Sequence, residues 1–232
     1  MAKQSLLRNG GDLPVAPTSE DEMMFVGSKI RLVNLVCFSL LAVPCLAANI
    51  EGKVTVEGIK SAASIVVYID GESNGNLTPP TEHVAVHQQK MTFIPHVLAV
   101  QQGTTVDFYN DDAVSHGVSW PSVAGNKKLA HHLGIWGQGG MKPFTFNDLG
   151  VVPLLCYLHP EMSGYIVVVP TPYFAITQND GSFVIRDVPP GNHVLKFWSE
   201  DGEPVSQQIQ VADSADPINV TIHRAHSRGG HR

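Results

Sequence analysis

A chain of 232 residues, 43% hydrophobic and 16% charged, has enough apolar surface to bury a real core, which excludes a disordered or fibrous protein. Its net charge of −6 at pH 7 and the absence of a basic patch exclude nucleic acid as a partner and suit a partner with a basic docking face. Short apolar runs among 21 glycines and 16 prolines favour strands joined by turns.

The first recognisable element is Leu32–Ala47 (LVNLVCFSLLAVPCLA), which is almost wholly apolar. Lys29 and Arg31 precede it, and the small residues Ala47 and Ala48 follow. A basic start, a short apolar run and a small-residue exit describe a secretory signal peptide. The alternative, a membrane anchor, would need about 20 apolar residues. Pro44 before Cys45 is the wrong neighbour for a lipid-modified cysteine. Glu20, Asp21 and Glu22 put acid where a signal wants base, so translation is expected to begin at Met23 or Met24. Residues 1–48 thus read as a signal peptide behind an extension from a mis-assigned start. Residues 1–47 hold four basic and four acidic side chains, so the mature chain keeps its net charge of −6. Cleavage also removes Cys37 and Cys45 and leaves Cys156 alone. Exported proteins usually pair their cysteines, so a lone one points to a metal or an intermolecular bond. A periplasmic or secreted location follows, with no membrane span after cleavage.

Ile50–Glu57 alternates apolar and polar residues, and Ala63–Ile69 is a short apolar run; both predict strands. Gly71–Thr81 predicts a loop. From Met91 to Asn110 a strand, a turn at Gly103 and a second strand are expected. Asn126–Gly140 reads as a loop. Val151–Leu155 and Tyr165–Val169 are β-rich runs on either side of Cys156–Met162. Strands are expected again at Phe174–Thr177, Ser182–Arg186, Val194–Trp198, Val205–Val211 and Ile218–Ile222, with Asn179-Asp180-Gly181 and Pro189-Pro190-Gly191 as turns. No long amphipathic helix is visible. The tail, residues 223–232, is basic and reads as disordered.

Cys156, His159 and Met162 lie in one seven-residue stretch, CYLHPEM. Apolar strands on both sides make it a tight loop able to aim a thiolate, an imidazole and a thioether at one point. A second imidazole must come from elsewhere, and His116, at the end of the turn-rich NDDAVSH, is the best candidate. Two histidine nitrogens and a thiolate with a weak axial thioether are the ligands of a type 1 (blue) copper electron-transfer site. Val151, Val152, Leu154 and Leu155 offer it a dry surround. Zinc is the rival, but structural zinc prefers several Cys or His ligands, and Met argues against it. A lone buried Cys is commonly just a small hydrophobe; the C-x-x-H-x-x-M spacing with an upstream His outweighs that reading.

These residues resemble the cupredoxins, specifically the plastocyanin, amicyanin and pseudoazurin group. The likeness runs from MTFIPHVLAVQQGTTVDFYNDDAVSHGV (Met91–Val118) to VVPLLCYLHPEMSGYIVVV (Val151–Val169). The short loop with Pro160 after His159 is most similar to amicyanin. The resemblance implies a Greek-key β-sandwich, one copper, electron shuttling in the periplasm, and electron entry at the exposed edge of His159. One departure stands out. The family places Asn after the first ligand His, to brace the ligand loop, and here that residue is Gly117.

Residues 170–222 exceed what such a domain needs. DGSFVIRDVPPGNHVLKFW (Asp180–Trp198) resembles the carboxypeptidase regulatory-like, transthyretin-like β-sandwich. Its opening I-x-G-x-V pattern occurs earlier, as Ile50–Val54. The expected fold class is therefore all-β, a Greek-key cupredoxin β-sandwich plus a second small β-sandwich. The copper domain spans 84–169, inserted into a second domain made of 49–83 and 170–222. The simpler alternative is one cupredoxin from 49 to 169 with a C-terminal appendage. Of the remaining histidines, His131 and His132 in their loop and His223, His226 and His231 in the tail are weaker metal candidates. His83, His87, His96 and His193 are isolated, and Trp120 and Trp136 read as packing residues. The functional expectation is a one-electron carrier working with a dehydrogenase or cytochrome. The alternative is a non-redox copper-binding or copper-delivery protein. Catalysis is not expected, since four protein ligands leave no open position for substrate.

Overall fold

The computed structural model describes residues 47–71, 78–212 and 216–224. Most of the expected signal peptide, with Cys37 and Cys45, and the tail histidines His226 and His231 lie outside them. Strands β1 (Ala48–Val56) and β2 (Val66–Asp70) come first. Next are β3 (Val84–Gln89), β4 (Thr92–Ile94), β5 (Val97–Gln101), β6 (Thr104–Asn110) and β7 (His116–Trp120). A 3-10 turn at Lys127–Leu129 leads to β8 (His131–Trp136), β9 (Met141–Phe146), β10 (Gly150–Leu155) and β11 (Ser163–Val169). The chain closes with β12 (Phe174–Ile176), β13 (Ser182–Val188), β14 (Gly191–Trp198), β15 (Val205–Val211) and β16 (Ile218–Ile222).

The fold is all-β, with two sandwiches. In the first, the sheet β4-β3-β6-β9 faces the sheet β5-β11-β10-β7-β8. Phe93, Phe108, Phe146, Trp120, Val152, Leu154 and Ile166 fill the space between them. In the second, β13-β1-β16 faces β12-β2-β14-β15 around Ile50, Val54, Phe183, Ile185, Leu195 and Phe197. Ile50–Val56 lies in β1, whose partners are β13 (antiparallel) and β16 (parallel). β2 likewise pairs with β12 and β14.

A third apolar cluster joins the sandwiches. Val97, Ala99, Val167 and Val169 of β5 and β11 meet Val66 of β2, with Tyr68, Tyr165, Phe174, Ile176 and Trp198 around them. β11 is therefore buried on both faces: Ile166 and Val168 point into the first core, Val167 and Val169 into the junction. A strand buried on both sides reads as a continuous apolar run rather than an alternation, which is why Tyr165–Val169 shows no period.

Three stretches depart from expectation. β2 starts at Val66 rather than Ala63, because the chain turns first at Ser64, with φ 61°. Asn126–Gly140 contains strand β8, not only loop. β8 is an edge strand, so His131, His132 and Ile135 are exposed and its apolar signal is thin. A register shift against β7 between Val118 and Ser119, with Gly134 at φ 84°, breaks the alternation further. Val151, Val152, Leu154 and Leu155 do not form one dry surround. Val152 and Leu154 are buried inward, Val151 faces the junction, and Leu155 is exposed.

Candidate metal centre

The site is built at one end of the first sandwich, where β7, β10 and β11 meet the loops that join them. β10 ends at Leu155, paired with Ser163 of β11 and Ser119 of β7. The loop then closes on itself: the Cys156 N–H donates to the Met162 carbonyl at 3.1 Å, and the Met162 N–H to the His159 carbonyl at 2.9 Å. The second bond makes His159–Met162 a β-turn with Pro160 at its second position, where a fixed φ suits it. Seven residues thus span the gap between two adjacent strands and turn Cys156 inward, where it is buried.

His116, the first residue of β7, is fully buried. Its Nδ1 lies 3.0 Å from Nδ1 of half-buried His159 and 3.9 Å from Sγ of Cys156, and Sγ is 3.6 Å from His159 Nδ1. These three residues form the one such group of donors among the described residues, all within 4.8 Å of one another. A triangle with those sides has a circumradius of about 2 Å, the length of a metal–imidazole bond. Sulfur and imidazole nitrogen together are also a soft donor set, suited to copper or zinc rather than to magnesium or calcium. On both counts the residues fit a bound transition metal. Met162, also buried, closes the loop through the hydrogen bond its carbonyl accepts from the Cys156 N–H.

The far side of the His116 ring is fixed. Its Nε2–H donates to Oδ2 of Asp112 at 2.8 Å, which leaves Nδ1 as the lone-pair nitrogen facing the thiol. The Met91 N–H holds the Asp112 carboxyl below the usual carboxylate range, against partial desolvation; the Lys90 N–H and the His116 ring add to the effect. The carboxylate is therefore ionised and can only accept. Fully buried Asn110 organises the loop from Asp111 to Ser115. Its amide donates to the Val114 and Trp136 carbonyls, and its Oδ1 accepts from the Asp112 N–H. Sequence reasoning singled out neither Asp112 nor Gln88, a fully buried side chain whose Nε2 donates to the Gly117 carbonyl. The available signal was an Asp four residues before the candidate His in a turn-rich stretch.

Gly117 has a clear physical reason. A Cβ at this position would lie 2.7 to 3.0 Å from the Tyr157 ring. The aromatic side chain after Cys156 occupies the space that a side chain at 117 would need.

The other described histidines lie outside this group. His83, His87, His96 and His223 face Asp107, Asp111, Glu200 and Glu57, and His193 faces the Pro189 carbonyl. His131 and His132 lie on β8, with His131 against Trp120 and Phe144. Trp120 and Trp136 belong to the first core. No helix among the described residues is long and apolar enough to cross a membrane.

No protein-family model matches the chain, and no curated protein does. Among solved structures it is similar to amicyanin and cupredoxin structures. A reduced amicyanin variant is 23% identical, with a TM-score of 0.35, covering 44% of this chain and 97% of that one. An oxidised amicyanin variant is 22% identical over the same shares, also at 0.35. A purple cupredoxin from Nitrosopumilus maritimus is 24% identical, at 0.33, covering 37% of this chain and 98% of that one.

Proposed function

We propose that this chain is an exported type 1 copper protein that carries single electrons between redox partners, with His116, Cys156, His159 and Met162 holding one copper. The observation that carries the reading is the convergence of two Nδ1 atoms and one buried sulfur on a common point about 2 Å from each. Copper would supply a centre that cycles between Cu(II) and Cu(I). Imidazole tolerates both states, while thiolate and thioether favour the reduced one.

The protein's own contribution is rigidity and dryness. His116 is pinned by Asp112, the Cys156 loop is closed by its two backbone bonds, and Cys156 belongs to the same buried apolar cluster as Val152 and Leu154. A donor set held this way reorganises little when the charge changes. His159 is the partly exposed member, preceded in the chain by exposed Leu155, Tyr157 and Leu158, and is the natural edge for electron entry. The acidic balance of the chain favours a dehydrogenase or cytochrome with a basic docking face. Within this reading, residues 84–169 are the copper domain, and residues 49–83 with 170–222 are a transthyretin-like sandwich into which it is inserted. The pairing of β1 with β13 and β16 supports that division.

The test is voltammetry of the copper-loaded protein. A reversible one-electron wave with fast interfacial exchange supports a carrier. Tight binding with slow, irreversible reduction would move the assignment to a non-redox copper-binding or delivery protein.

A further inference from the structure

Two adjacent residues hold a backbone conformation that side chains avoid. Lys90 and Met91 have φ 54° and 57°, and together form the two-residue loop between β3 and β4, bounded by the Gln89–Thr92 pair. Two successive positive φ values define a type I′ turn, for which Asn-Gly is the favoured pair. Strain of this kind persists where the surroundings over-determine it, and it concentrates at functional sites.

What over-determines it here is a carboxylate from another loop. Asp112 Oδ1 accepts the Lys90 N–H at 2.7 Å, and Oδ2 accepts the Met91 N–H at 2.9 Å. The same Oδ2 accepts the His116 Nε2–H at 2.8 Å. Asp112 is itself tied down by its N–H to buried Asn110. One carboxylate therefore joins the turn to the imidazole. A turn that served only the hairpin would not need its acceptor shared with a fully buried histidine.

We propose that the Lys90–Met91 turn is a positioning element of the metal centre, acting through Asp112 to fix the rotation and tautomer of His116. This rests on the metal-site reading above. The two turn amides fix the direction of Oδ2, Oδ2 keeps the ring proton on Nε2, and Nδ1 is left free to bind. Linkage is reciprocal: what orders the turn favours the binding-competent ring, and metal on Nδ1, by making Nε2–H a stronger donor, orders the turn.

The experiment begins with metal-free protein. Nitrogen-15 NMR of the His116 ring should show the Nε2–H tautomer, and Asp112→Ala should mix the tautomers and speed amide exchange at Lys90 and Met91. With Cu(II), Asp112→Ala should bind about 10- to 100-fold more weakly. Copper should slow exchange at the two turn amides in the parent but not in the variant. Should Asp112→Ala fold poorly, the same change is made on Lys90→Asn with Met91→Gly, a pair the turn geometry favours without help. There the turn should be protected while affinity stays low. An unchanged tautomer, or an affinity within twofold of the same background carrying Asp112, overturns the proposal. A parent that takes up no copper refutes the functional reading instead, and the metal-free tautomer and exchange results still decide the positioning.

Discussion

The packing of Tyr157 on Gly117 yields a quantitative prediction. A Cβ added at Gly117 would stand 2.7 Å from Cε1, 2.8 Å from Cζ and 3.0 Å from Oη of Tyr157. Carbon atoms pack best at about 3.5 to 4 Å, so the ring must retreat by about 1 Å or leave. Retreat under strain costs about 1 to 3 kcal/mol. Departure exposes the covered half of a ring that is 49% exposed, about 100 Å² or a ceiling near 2.5 kcal/mol. Against this, Gly117→Ala stiffens the unfolded chain, worth about 0.4 to 1 kcal/mol. The single variant should therefore lose about 1 kcal/mol. In a Tyr157→Ala background, the same substitution should be neutral or stabilising. A double-mutant cycle by urea unfolding of metal-free protein should give a coupling of about 1 to 2 kcal/mol. Additive effects, with coupling below about 0.5 kcal/mol, would refute the idea that the Tyr157 ring excludes a side chain at 117.

Val167 lies in the junction between the sandwiches and is 2% exposed. Val167→Asp should cost at least about 3 kcal/mol, since the charge has no partner there; calorimetry should show two transitions or global unfolding, and a single unshifted transition would contradict the packing. Burial raises the Tyr68 and Tyr165 hydroxyls above their ordinary range, and the hydrogen bond Lys196 donates to the Asp70 carboxylate raises Lys196. In each case the unfolded chain loses its proton first, so stability is complete below about pH 10 and falls as pH rises through the folded values. Tyr68→Phe with Tyr165→Phe should flatten the decline between pH 9 and 11, and melting curves of parallel slope would count against this. Gly181 sits at φ 83°, and a Cβ there would overlap the Val54 carbonyl. Gly181→Ala should therefore unfold the second sandwich, seen as loss of the Phe183 and Phe197 signals in NMR spectra.

Much of this architecture could be read from the chain because its strands alternate cleanly and its turns carry Gly, Asn and Pro. The donor types were visible in CYLHPEM and in the His that follows a strand ending at Asn110. β8 escaped notice because an edge strand bearing His131, His132 and Gly134 has little apolar periodicity to show. The dry wall was misjudged at Val151 and Leu155 because alternation sends neighbours to opposite faces, and composition alone does not say which face is buried. Asp112 was missed because its role depends on contacts with residues 90, 91 and 116, which no local pattern encodes. The value of Gly117 was legible only as a departure from a family pattern; its cause, the Tyr157 ring, required three dimensions.

The Cys156 sulfur and the His116 and His159 nitrogens should take up copper together. Adding one equivalent of Cu(II) to the purified protein and recording its visible and electron paramagnetic resonance spectra tests this directly. The expected result is an intense blue colour with the narrow copper hyperfine splitting of a strong Cu–thiolate bond, abolished by Cys156→Ser. A colourless complex with ordinary tetragonal copper spectra, unchanged by Cys156→Ser, would contradict it.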